Sequence, residues 1–368
     1  MKKTVLSFLF LKEPYTLSLR VRDDDNFQVA MSKIGKNNAL TDVAGLIVGN
    51  YTDMDAVCGV TVVICPQGAV AGVDVRGAAP ATREIDLLEP LNLVEKIHAV
   101  VLSGGSVYGL AASDGVVRWL SGQGFGFPLD QEHVVPIVPA AALYDLGRST
   151  REFVPPISAD WGLRACNVAK EGPVEIGSVG AGTGARSGSI KGGLGTASLV
   201  IDSKNTIAAL VAVNSYGLAV NPKTGLLWEI DNELGDEFGC QGKRAVILPP
   251  FEEAEPAKNT TIGIMATDAI LTKAQAQKIA QMAHDGLARA VRPAHTMFDG
   301  DTIFCLSTGK KELPESAGFF EIAGAQAINE LGHAAACCVS RAIIRGILAA
   351  GSIGGIPAFR DLENREQV

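Results

Sequence analysis

Short apolar runs along the chain predict two β-hairpins. Residues 60–65 and 70–75 are apolar and lie on either side of Pro66 and Gly68, which favour a reversal of the chain. Residues 197–201 and 206–213 form a second apolar pair, joined through a short polar stretch. Each pair is expected to form two antiparallel strands.

The middle of the chain predicts a strand followed by a helix. The run 98–102 is typical of a buried strand. Ser106 follows it and is expected to cap a helix in which Leu110, Val117 and Leu120 recur at helical spacing.

The C-terminal third repeats this alternation of strand and helix. Thr260 begins an apolar strand at 260–266, and Thr272 is expected to cap the helix that follows. A strand at 302–307 and a long helix at 321–350 complete the pattern. Hairpins alternating with apolar helices favour antiparallel-rich sheets covered by helices, which is an α/β layered sandwich and not a doubly wound Rossmann sheet.

The N-terminal segment contains a short apolar run behind two lysines, as a signal peptide does. Lys12, Glu13 and Pro14 follow the run without a small-residue cleavage site, which argues against a signal peptide. We expect residues 1–35 to form a poorly ordered arm. No stretch reaches the ~18 uninterrupted apolar residues of a membrane span, so no membrane is expected as a partner.

Composition and charge narrow the class of protein. The chain has 368 residues, and its formal net charge is −8. Because Lys and Arg are scattered and form no basic stripe, nucleic acid is not an expected partner. The seven cysteines show no CxxC spacing, and Cys337 and Cys338 lie in an apolar helical pattern. They are expected to be reduced core residues of a cytoplasmic protein.

Residues 177–195 are the most glycine-dense part of the chain. Within them, 180–185 imitates a dinucleotide-binding fingerprint, but no convincing strand precedes it and no acidic residue about 20 positions later closes a βαβ unit. We therefore expect no organic cofactor. The preferred interpretation is close backbone packing near an active site, with N–H groups available to an oxyanion.

The junction between Asn259 and Thr260 combines a linker with the first residue of a strand. The linker, 249–259, is rich in Pro, Glu and Ala. A Thr hydroxyl is a weak nucleophile that needs a base beside it. A chain break before Thr260 would supply that base, because the new α-amine has a pKa of about 8 and belongs to the same residue. The same hydroxyl could make the break by attacking the Asn259 carbonyl and forming an ester that water opens.

Each candidate residue also has a purely structural interpretation. Asn-Thr at a strand start is usually a turn followed by a β-forming residue, and 299–301 (Asp-Gly-Asp) is commonly a turn. Lys191 would be solvated, Asn214 would cap a turn, and Tyr144 would be a core or rim aromatic residue. His295 would need further ligands to hold a metal, and none is evident in the sequence, so no metal is expected.

Strings of residues at ordered intervals between positions 40 and 355 carry a resemblance to a known family. They are RGAAPATRE (76–84), LSGGSVYGL (102–110), IVPAAALYDLG (137–147), GSVGAGTGA (177–185), KGGLGTAS (191–198), VNSYG (213–217), NTTIGIMATDA (259–269) and FDGDTIF (298–304). These strings resemble the DmpA-type β-peptidyl aminopeptidases. Through NTT and HTMFDGDT they resemble most closely the nylon-oligomer hydrolases of that group.

The resemblance implies a four-layer αββα sandwich, of the kind shared with ornithine acetyltransferase, made as a precursor that cuts itself into two subunits. The larger subunit would be 36–259, preceded by the arm 1–35, and the smaller subunit, 260–368, would carry an N-terminal nucleophile. The resemblance also implies a homo-oligomer, a tetramer of cleaved heterodimers. The mechanism requires neither a metal nor an organic cofactor.

Matching positions receive their roles from the resemblance. Thr260 matches the nucleophile, and Asn259 matches the residue whose carbonyl is cleaved. Lys191 matches a lysine near the nucleophile, where an ammonium would depress the pKa of the Thr260 amine and hold charge on the developing oxyanion. Asn214 matches the side-chain amide donor of the oxyanion site, and Tyr144 matches a tyrosine whose hydroxyl lies near it.

Asp299 and Asp301 match a pair that is Ser and Glu in the aminopeptidase branch. Here a first carboxylate is added and the second is shortened. A carboxylate facing the pocket could bind a substrate ammonium or orient the amine of the nucleophile. The departure argues against strict N-terminal aminopeptidase specificity.

The sequence therefore predicts a self-processing amide or peptide hydrolase that acts on a small peptide or amino-amide through an acyl-Thr260 ester. Aminopeptidase, β-peptidyl aminopeptidase and ω-amide oligomer hydrolase activities are all compatible with it. Two alternatives are retained. One is an N-acyltransferase of the ornithine-acetyltransferase type, and the other is an uncleaved, non-catalytic binding protein.

Overall fold

The computed structural model describes residues 32–148, 157–201, 204–250, 259–313 and 322–365. The α-helices in these ranges are α1 (Ala112–Gly122), α2 (Ala159–Asn167), α3 (Gly239–Gly242), α4 (Lys273–Ala290) and α5 (Ile322–Ala349). The strands in the same ranges are β1 (Ile47–Asp53), β2 (Cys58–Val75), β3 (Ala81–Arg83), β4 (Lys96–Ser103), β5 (Phe127–Pro128), β6 (Val134–Val135), β7 (Ala140–Ala142), β8 (Arg186–Ser187), β9 (Ile190–Lys191), β10 (Gly193–Val200), β11 (Thr206–Val213), β12 (Ile262–Ala269) and β13 (Thr302–Lys311).

The main sheet has the strand order β10-β11-β12-β13-β2-β4-β7-β3, and β1 pairs with β2 at the side of this path. Only β12 with β13 and β4 with β7 are parallel pairs among the described strands. The predominance of antiparallel pairs agrees with the sequence prediction, as does the hairpin of β10 and β11. The mixed α/β class is confirmed.

The first predicted hairpin is wrong. The region around Pro66 and Gly68 does not reverse the chain, because β2 runs as one strand from Cys58 to Val75. Both halves of β2 pair antiparallel with the same neighbour, β4, and the register shifts between Ile64 and Ala69. Pro66 has no N–H to donate, and Gly68 has a φ of 73°, so the two residues form an irregularity inside a strand.

The halves of the sheet face each other across a central core, and helices cover both outer faces. One core lies between β10–β13 and the helices α4 and α5. A second lies between the opposite face of β10–β13 and the strands β2 and β4, and a third lies between β2, β4 and the helices α1 and α2. Representative pairs from the three cores are, in that order, Val211 with Leu331, Leu210 with Val100, and Val62 with Val116. This order of helix, sheet, sheet and helix is the predicted αββα sandwich.

The two predicted helix caps have different outcomes. The Thr272 hydroxyl oxygen accepts a hydrogen bond from the Gln275 N–H, and the Gln275 side-chain oxygen accepts one from the Thr272 N–H. The helix α4 therefore begins with the expected capping box. Ser106 does not cap a helix. It begins the 3₁₀ helix Ser106–Ala111 with a φ of 53°, and that turn makes no side-chain cap bond before α1 begins.

The predicted N-terminal arm lies mostly outside the described residues. Within them, Lys33 exchanges two backbone hydrogen bonds with Val200 at the end of β10. The segment Ala323–Ala349 is long and apolar enough to cross a membrane, but 83% of its most hydropathic window is buried inside the protein. It therefore serves here as a core helix against β10 and β11. Six of the seven cysteines, including Cys337 and Cys338, are buried and unpaired, whereas Cys240 is exposed.

Candidate active site

Thr260 lies immediately before β12, where the chain enters the main sheet. It is buried, with 4% of its surface exposed. The Thr260 Oγ1 donates a short hydrogen bond to the carbonyl oxygen of Asn259, and the Thr260 N–H donates a short one to the carbonyl oxygen of Asn214. The predicted nucleophile therefore lies against the carbonyl group that it is expected to attack.

Asn259 carries a side chain that the described residues leave without partners. Its Nδ2 and Oδ1 are both buried and make no hydrogen bond within that part of the chain. A buried amide group without a partner costs about 1–3 kcal/mol for each lost bond. The linker 251–258, which precedes this residue and was expected to be exposed, lies outside the described residues.

Asn214 follows β11 and uses both ends of its side-chain amide. The Nδ2 donates to the Tyr144 carbonyl oxygen at 3.0 Å, and the Oδ1 accepts from the Arg186 N–H at 3.1 Å. Asn214 and Tyr144 are thus brought together beside Thr260, as expected. They meet through the Tyr144 carbonyl oxygen, whereas the resemblance implied a role for the hydroxyl. Here the Nδ2 of Asn214 is engaged with that carbonyl.

Lys191 is fully buried and binds only backbone. Its Nζ donates to the carbonyl oxygens of Gly182, Ala185 and Gly192 at 2.8–3.2 Å, so all three of its N–H groups are used. Burial lowers the pKa of Lys191 to about 7; the charge of Asp145 opposes this shift, and that of Arg148 adds to it. The solvated side chain of the structural interpretation is therefore wrong.

Lys191 reaches Thr260 indirectly. No hydrogen bond joins the two residues within the described ranges, but a chain of contacts does. Lys191 pairs with Arg186 across the ladder of β8 and β9, the Arg186 N–H binds the Asn214 side chain, and the Asn214 carbonyl oxygen accepts from Thr260. Lys191 is therefore connected to Thr260 through these contacts and not by a direct bond.

The glycine-rich segment packs closely, as expected, but it presents carbonyl groups where N–H groups were predicted. Gly182 and Gly192 each contribute an oxygen to Lys191. A Cβ built on Gly182 would lie 2.1 Å from the backbone nitrogen of Leu194, and one on Gly195 would lie 1.9 Å from the carbonyl oxygen of Ala342 in α5. Only glycine permits this approach of loop, strand and helix.

Asp301 holds the backbone around the nucleophile. Its Oδ1 accepts from the N–H of Thr261 at 2.8 Å, and its Oδ2 accepts from the backbone N–H of His295 at 3.0 Å and lies 2.8 Å from His295 Nδ1. Only 1% of the Asp301 surface is exposed. Asp301 therefore fixes the residue after Thr260 and does not open onto solvent.

Asp299 is bonded in the same way. Its Oδ1 accepts from the Tyr216 N–H at 3.1 Å, and its Oδ2 accepts from the backbone N–H and the hydroxyl of Thr296 at 2.9 and 2.6 Å. Burial, and then the charge of Asp301, raise the pKa of Asp299. Neither carboxylate has a free oxygen for a substrate ammonium in this arrangement.

Gly300 brings the two aspartates to the nucleophile. A Cβ at this position would lie 2.9 Å from Thr260 Oγ1 and 2.6 Å from the carbonyl oxygen of Ala79. No side chain fits there without displacing one of them. The chain turns earlier than predicted, at 297–298, where the Asp299 N–H donates to the Thr296 carbonyl oxygen, and residues 299–301 form a wall of the site.

Sequence reasoning weighed His295 only as a metal ligand and missed other residues of this region. His295 Nδ1 contacts Asp301, and the His295 ring stacks edge-on against His284 with centroids 4.9 Å apart. Arg148 and Arg186 also lie near Asn214 and were not singled out. The regular spacing of apolar residues does not predict that these histidines and arginines lie together, because loops that are distant in the chain bring them close only in the folded protein. Within the described ranges, no group of three or more His, Cys, Asp or Glu side chains is placed to hold a metal ion.

Comparisons with known proteins agree with the geometry. The profile of peptidase family S58 matches residues 38–358. An "uncharacterized aminopeptidase" of Mycobacterium tuberculosis is 44% identical over 342 residues, which cover 88% of this chain and 98% of that protein. A 6-aminohexanoate-oligomer endohydrolase of Kocuria sp. is 28% identical over 304 residues, which cover 79% of this chain and 80% of that protein.

A solved structure has a similar fold. It is the L-aminopeptidase D-Ala-esterase/amidase of Ochrobactrum anthropi, described as a variant of the Ntn hydrolase fold. The TM-score is 0.66 at 22% identity, and the match covers 90% of this chain and 91% of that one.

Proposed function

This chain belongs to peptidase family S58, and we propose that it is a self-processing amide hydrolase whose nucleophile is Thr260. Membership of the family and the aminopeptidase relatives identify the protein as a hydrolase. The proposal concerns the finer points: the bond that is cut in the precursor, the residue that attacks, and the acyl-enzyme that follows.

One observation carries the proposal. The hydroxyl of Thr260 is hydrogen-bonded to the carbonyl oxygen of the residue before it, inside a buried site. This contact supports attack of Thr260 Oγ1 on the Asn259 carbonyl carbon. The C–N bond breaks, the proton of the hydroxyl passes to the Thr260 nitrogen, and an ester joins Asn259 to Thr260. Water then opens the ester to a carboxylate and restores the hydroxyl.

The surroundings of Asn259 favour this step. Its amide group has no partner in the described residues, so the intact precursor carries an uncompensated cost there. Cutting the chain after Asn259 lets this residue leave the site. The carbonyl oxygen of Asn214, which accepts from the Thr260 N–H, remains to hold the new α-amine.

Turnover follows the same chemistry on an external amide. The α-amine of Thr260, with a pKa of about 8, takes the proton of the hydroxyl as Oγ1 attacks the substrate carbonyl. The leaving amine receives that proton, and water resolves the acyl-Thr260 ester. We propose small peptides or amino-amides as substrates and a homo-oligomer of cleaved heterodimers as the assembly.

Substitution of Thr260 tests the proposal. We expect Thr260→Ala to remain one chain of 368 residues and to hydrolyse no amide, because the nucleophile of both steps is absent. Denaturing mass spectrometry after incubation at neutral pH, together with an alanine p-nitroanilide assay, measures both effects.

Thr261→Ala is the matched control for this test. Its hydroxyl makes no hydrogen bond in the described residues, so fragments 1–259 and 260–368 should still form. A Thr260→Ala protein that is cleaved after residue 259 would overturn the proposal.

A further inference from the structure

Two partly buried arginines, Arg148 and Arg186, have guanidinium nitrogens that are buried without a hydrogen bond, and Arg186 is bonded through its backbone to Asn214 beside Thr260. Arg148 has Nε and Nη2 buried without a hydrogen bond, and Arg186 has Nε buried without one. Neither side chain forms an ion pair or a hydrogen bond within the described part of the chain. Arg341 is the contrasting case, because its guanidinium binds both carboxylate oxygens of Glu237 at 2.5 and 2.9 Å.

Both arginines are attached to the site through Asn214. The Arg186 N–H binds the Asn214 side-chain oxygen, and the Asn214 backbone carbonyl accepts from the nucleophile. Arg148 lies four residues after Tyr144, whose carbonyl oxygen accepts from Asn214 Nδ2. The two loops therefore reach the same amide group from its two ends.

Positive charge is in excess at this position. Lys191 adds an ammonium, and Asp145 is the acidic side chain that interacts electrostatically with both Lys191 and Arg148. Asp145 uses one oxygen for the Gly105 N–H at 2.7 Å and for the Cys58 thiol at 3.2 Å, and its Oδ2 has no partner among the described residues. One carboxylate therefore interacts with two basic groups, and Arg186 adds a third positive charge beside Arg148.

The guanidinium groups remain charged in this setting. Burial, and then the nearby charge of Arg186, lower the pKa of Arg148 to about 10, and the charge of Asp145 opposes this shift. Such a value still leaves the group protonated at neutral pH. Burying guanidinium N–H groups without a hydrogen-bond partner costs free energy, and an anion that binds these N–H groups would relieve that cost.

We propose that Arg148 and Arg186 form a subsite for the carboxylate of the leaving amino acid. The inference rests on the proposed function, and it names the class of substrate. A planar guanidinium binds a carboxylate with two parallel hydrogen bonds. When an amide between amino acids is cut, the acyl part carries the free amine and the leaving part carries the free carboxylate. The preferred substrates are therefore short amino-acid amides that end in a carboxylate close to the scissile bond.

Binding measurements test the subsite without turnover. Titration calorimetry of the purified protein with N-acetylglycine and with N-acetylglycinamide compares a carboxylate with its neutral analogue. We expect the acid to bind at least tenfold more tightly, and Arg148→Gln or Arg186→Gln to remove that difference. Equal affinities of the wild-type protein for acid and amide would overturn the inference.

Kinetics give the second arm. β-Alanyl-alanine and its carboxamide are compared in the wild-type and variant enzymes. We expect the acid-to-amide ratio of kcat/KM to fall at least tenfold in either variant, mostly through KM. Arg118→Gln, at an exposed position of α1, is the matched control and should keep the wild-type ratio.

The outcomes separate the two proposals. An unchanged ratio in both arginine variants of an active enzyme rejects the subsite and leaves the amide hydrolase intact. Wild-type protein that stays uncleaved and hydrolyses no amide rejects the proposed function, and the calorimetry then decides the subsite by itself.

Discussion

The two sides of Thr260 are built from charged residues of opposite sign, and they are bonded in opposite ways. On the acidic side, every oxygen of Asp299 and Asp301 accepts a hydrogen bond from the protein itself. On the basic side, Arg148 and Arg186 keep buried donors without partners in the described residues. A carboxylate whose oxygens both accept hydrogen bonds from the protein holds those donors in place, whereas a guanidinium with unpaired N–H groups is suited to bind a ligand.

This difference changes the role of the acidic pair. From the sequence, a carboxylate facing the pocket was expected to bind a substrate ammonium or to orient the amine. In the structure Asp301 instead holds Thr261, and Gly300 between the aspartates borders the Thr260 hydroxyl. The acidic side therefore positions the backbone around the nucleophile. In our proposal, it is the basic side that binds the charged group of the substrate, its carboxylate.

The strongest test of this difference between the two sides is a substitution of Asp301, for which we expect the largest effect on self-cleavage. In Asp301→Asn, one oxygen becomes an NH₂ group, which cannot accept from both N–H groups of His295. Loss of this charge-assisted pair is worth about 2–4 kcal/mol, so self-cleavage should slow roughly 30- to 1000-fold. The rate is measured as the appearance of the fragment 260–368 by denaturing mass spectrometry.

Asp285→Asn, at an exposed position of α4, is the control for this experiment and should process at the wild-type rate. If Asp301→Asn processed as fast as that control, the acidic side would not be a scaffold for the nucleophile.

A smaller effect is expected on the basic side at Lys191. Lys191→Met keeps the length of the side chain but removes the charge and leaves three carbonyl oxygens without their donor. We expect self-cleavage to slow about tenfold, because the loss of electrostatic stabilisation at the site acts over several bonds and not by direct contact. Time courses of fragment formation measure it.

Lys278→Met, which removes an exposed lysine of α4, is the matched control. Identical time courses for the two methionine variants would show that the buried ammonium contributes nothing to the reaction.

A third effect concerns stability rather than rate, and it involves pH and His284, which packs against His295 beside the acidic pair. Burial lowers the pKa of His284 to about 4; its bond to the Asp74 carbonyl oxygen opposes the shift, and the nearby His295 adds to it. An unfolded histidine has a pKa of about 6.5, so between these values the unfolded chain binds a proton that the folded chain does not. The free energy of unfolding should therefore fall as pH falls from about 6.5 to 4, by up to about 1.4 kcal/mol per pH unit from this group.

Urea unfolding at a series of pH values measures that slope. His284→Gln should make it shallower, because glutamine can still donate to Asp74 but does not titrate. A slope that stays as steep in the variant would mean that other groups cause the loss of stability in acid.

Local signals in the sequence were sufficient for much of the fold. The hairpin of β10 and β11, the capping box at Thr272 and the long helix α5 were predicted from residues that are close in the chain. The same kind of signal failed at Pro66 and Gly68 and at Ser106. Turn-forming residues also occur inside an irregular strand or a 3₁₀ turn, and the choice depends on which strands lie alongside.

By itself, the sequence determined much of the alternation of strands and helices, through periodicity, and the family, through the resemblance of its strings of residues. The same resemblance supplied Thr260, Lys191, Asn214 and the aspartates as candidate site residues. Only the tertiary structure decided which charged side chains near Thr260 have hydrogen-bond partners in the described residues and which have buried N–H groups without them. Hydrogen-bond partners such as Tyr216 for Asp299, and charged neighbours such as Arg186 for Arg148, come from loops that meet only after folding. The free energy of a buried charge depends on those partners and on burial, and neither is encoded in the spacing of residues along the chain.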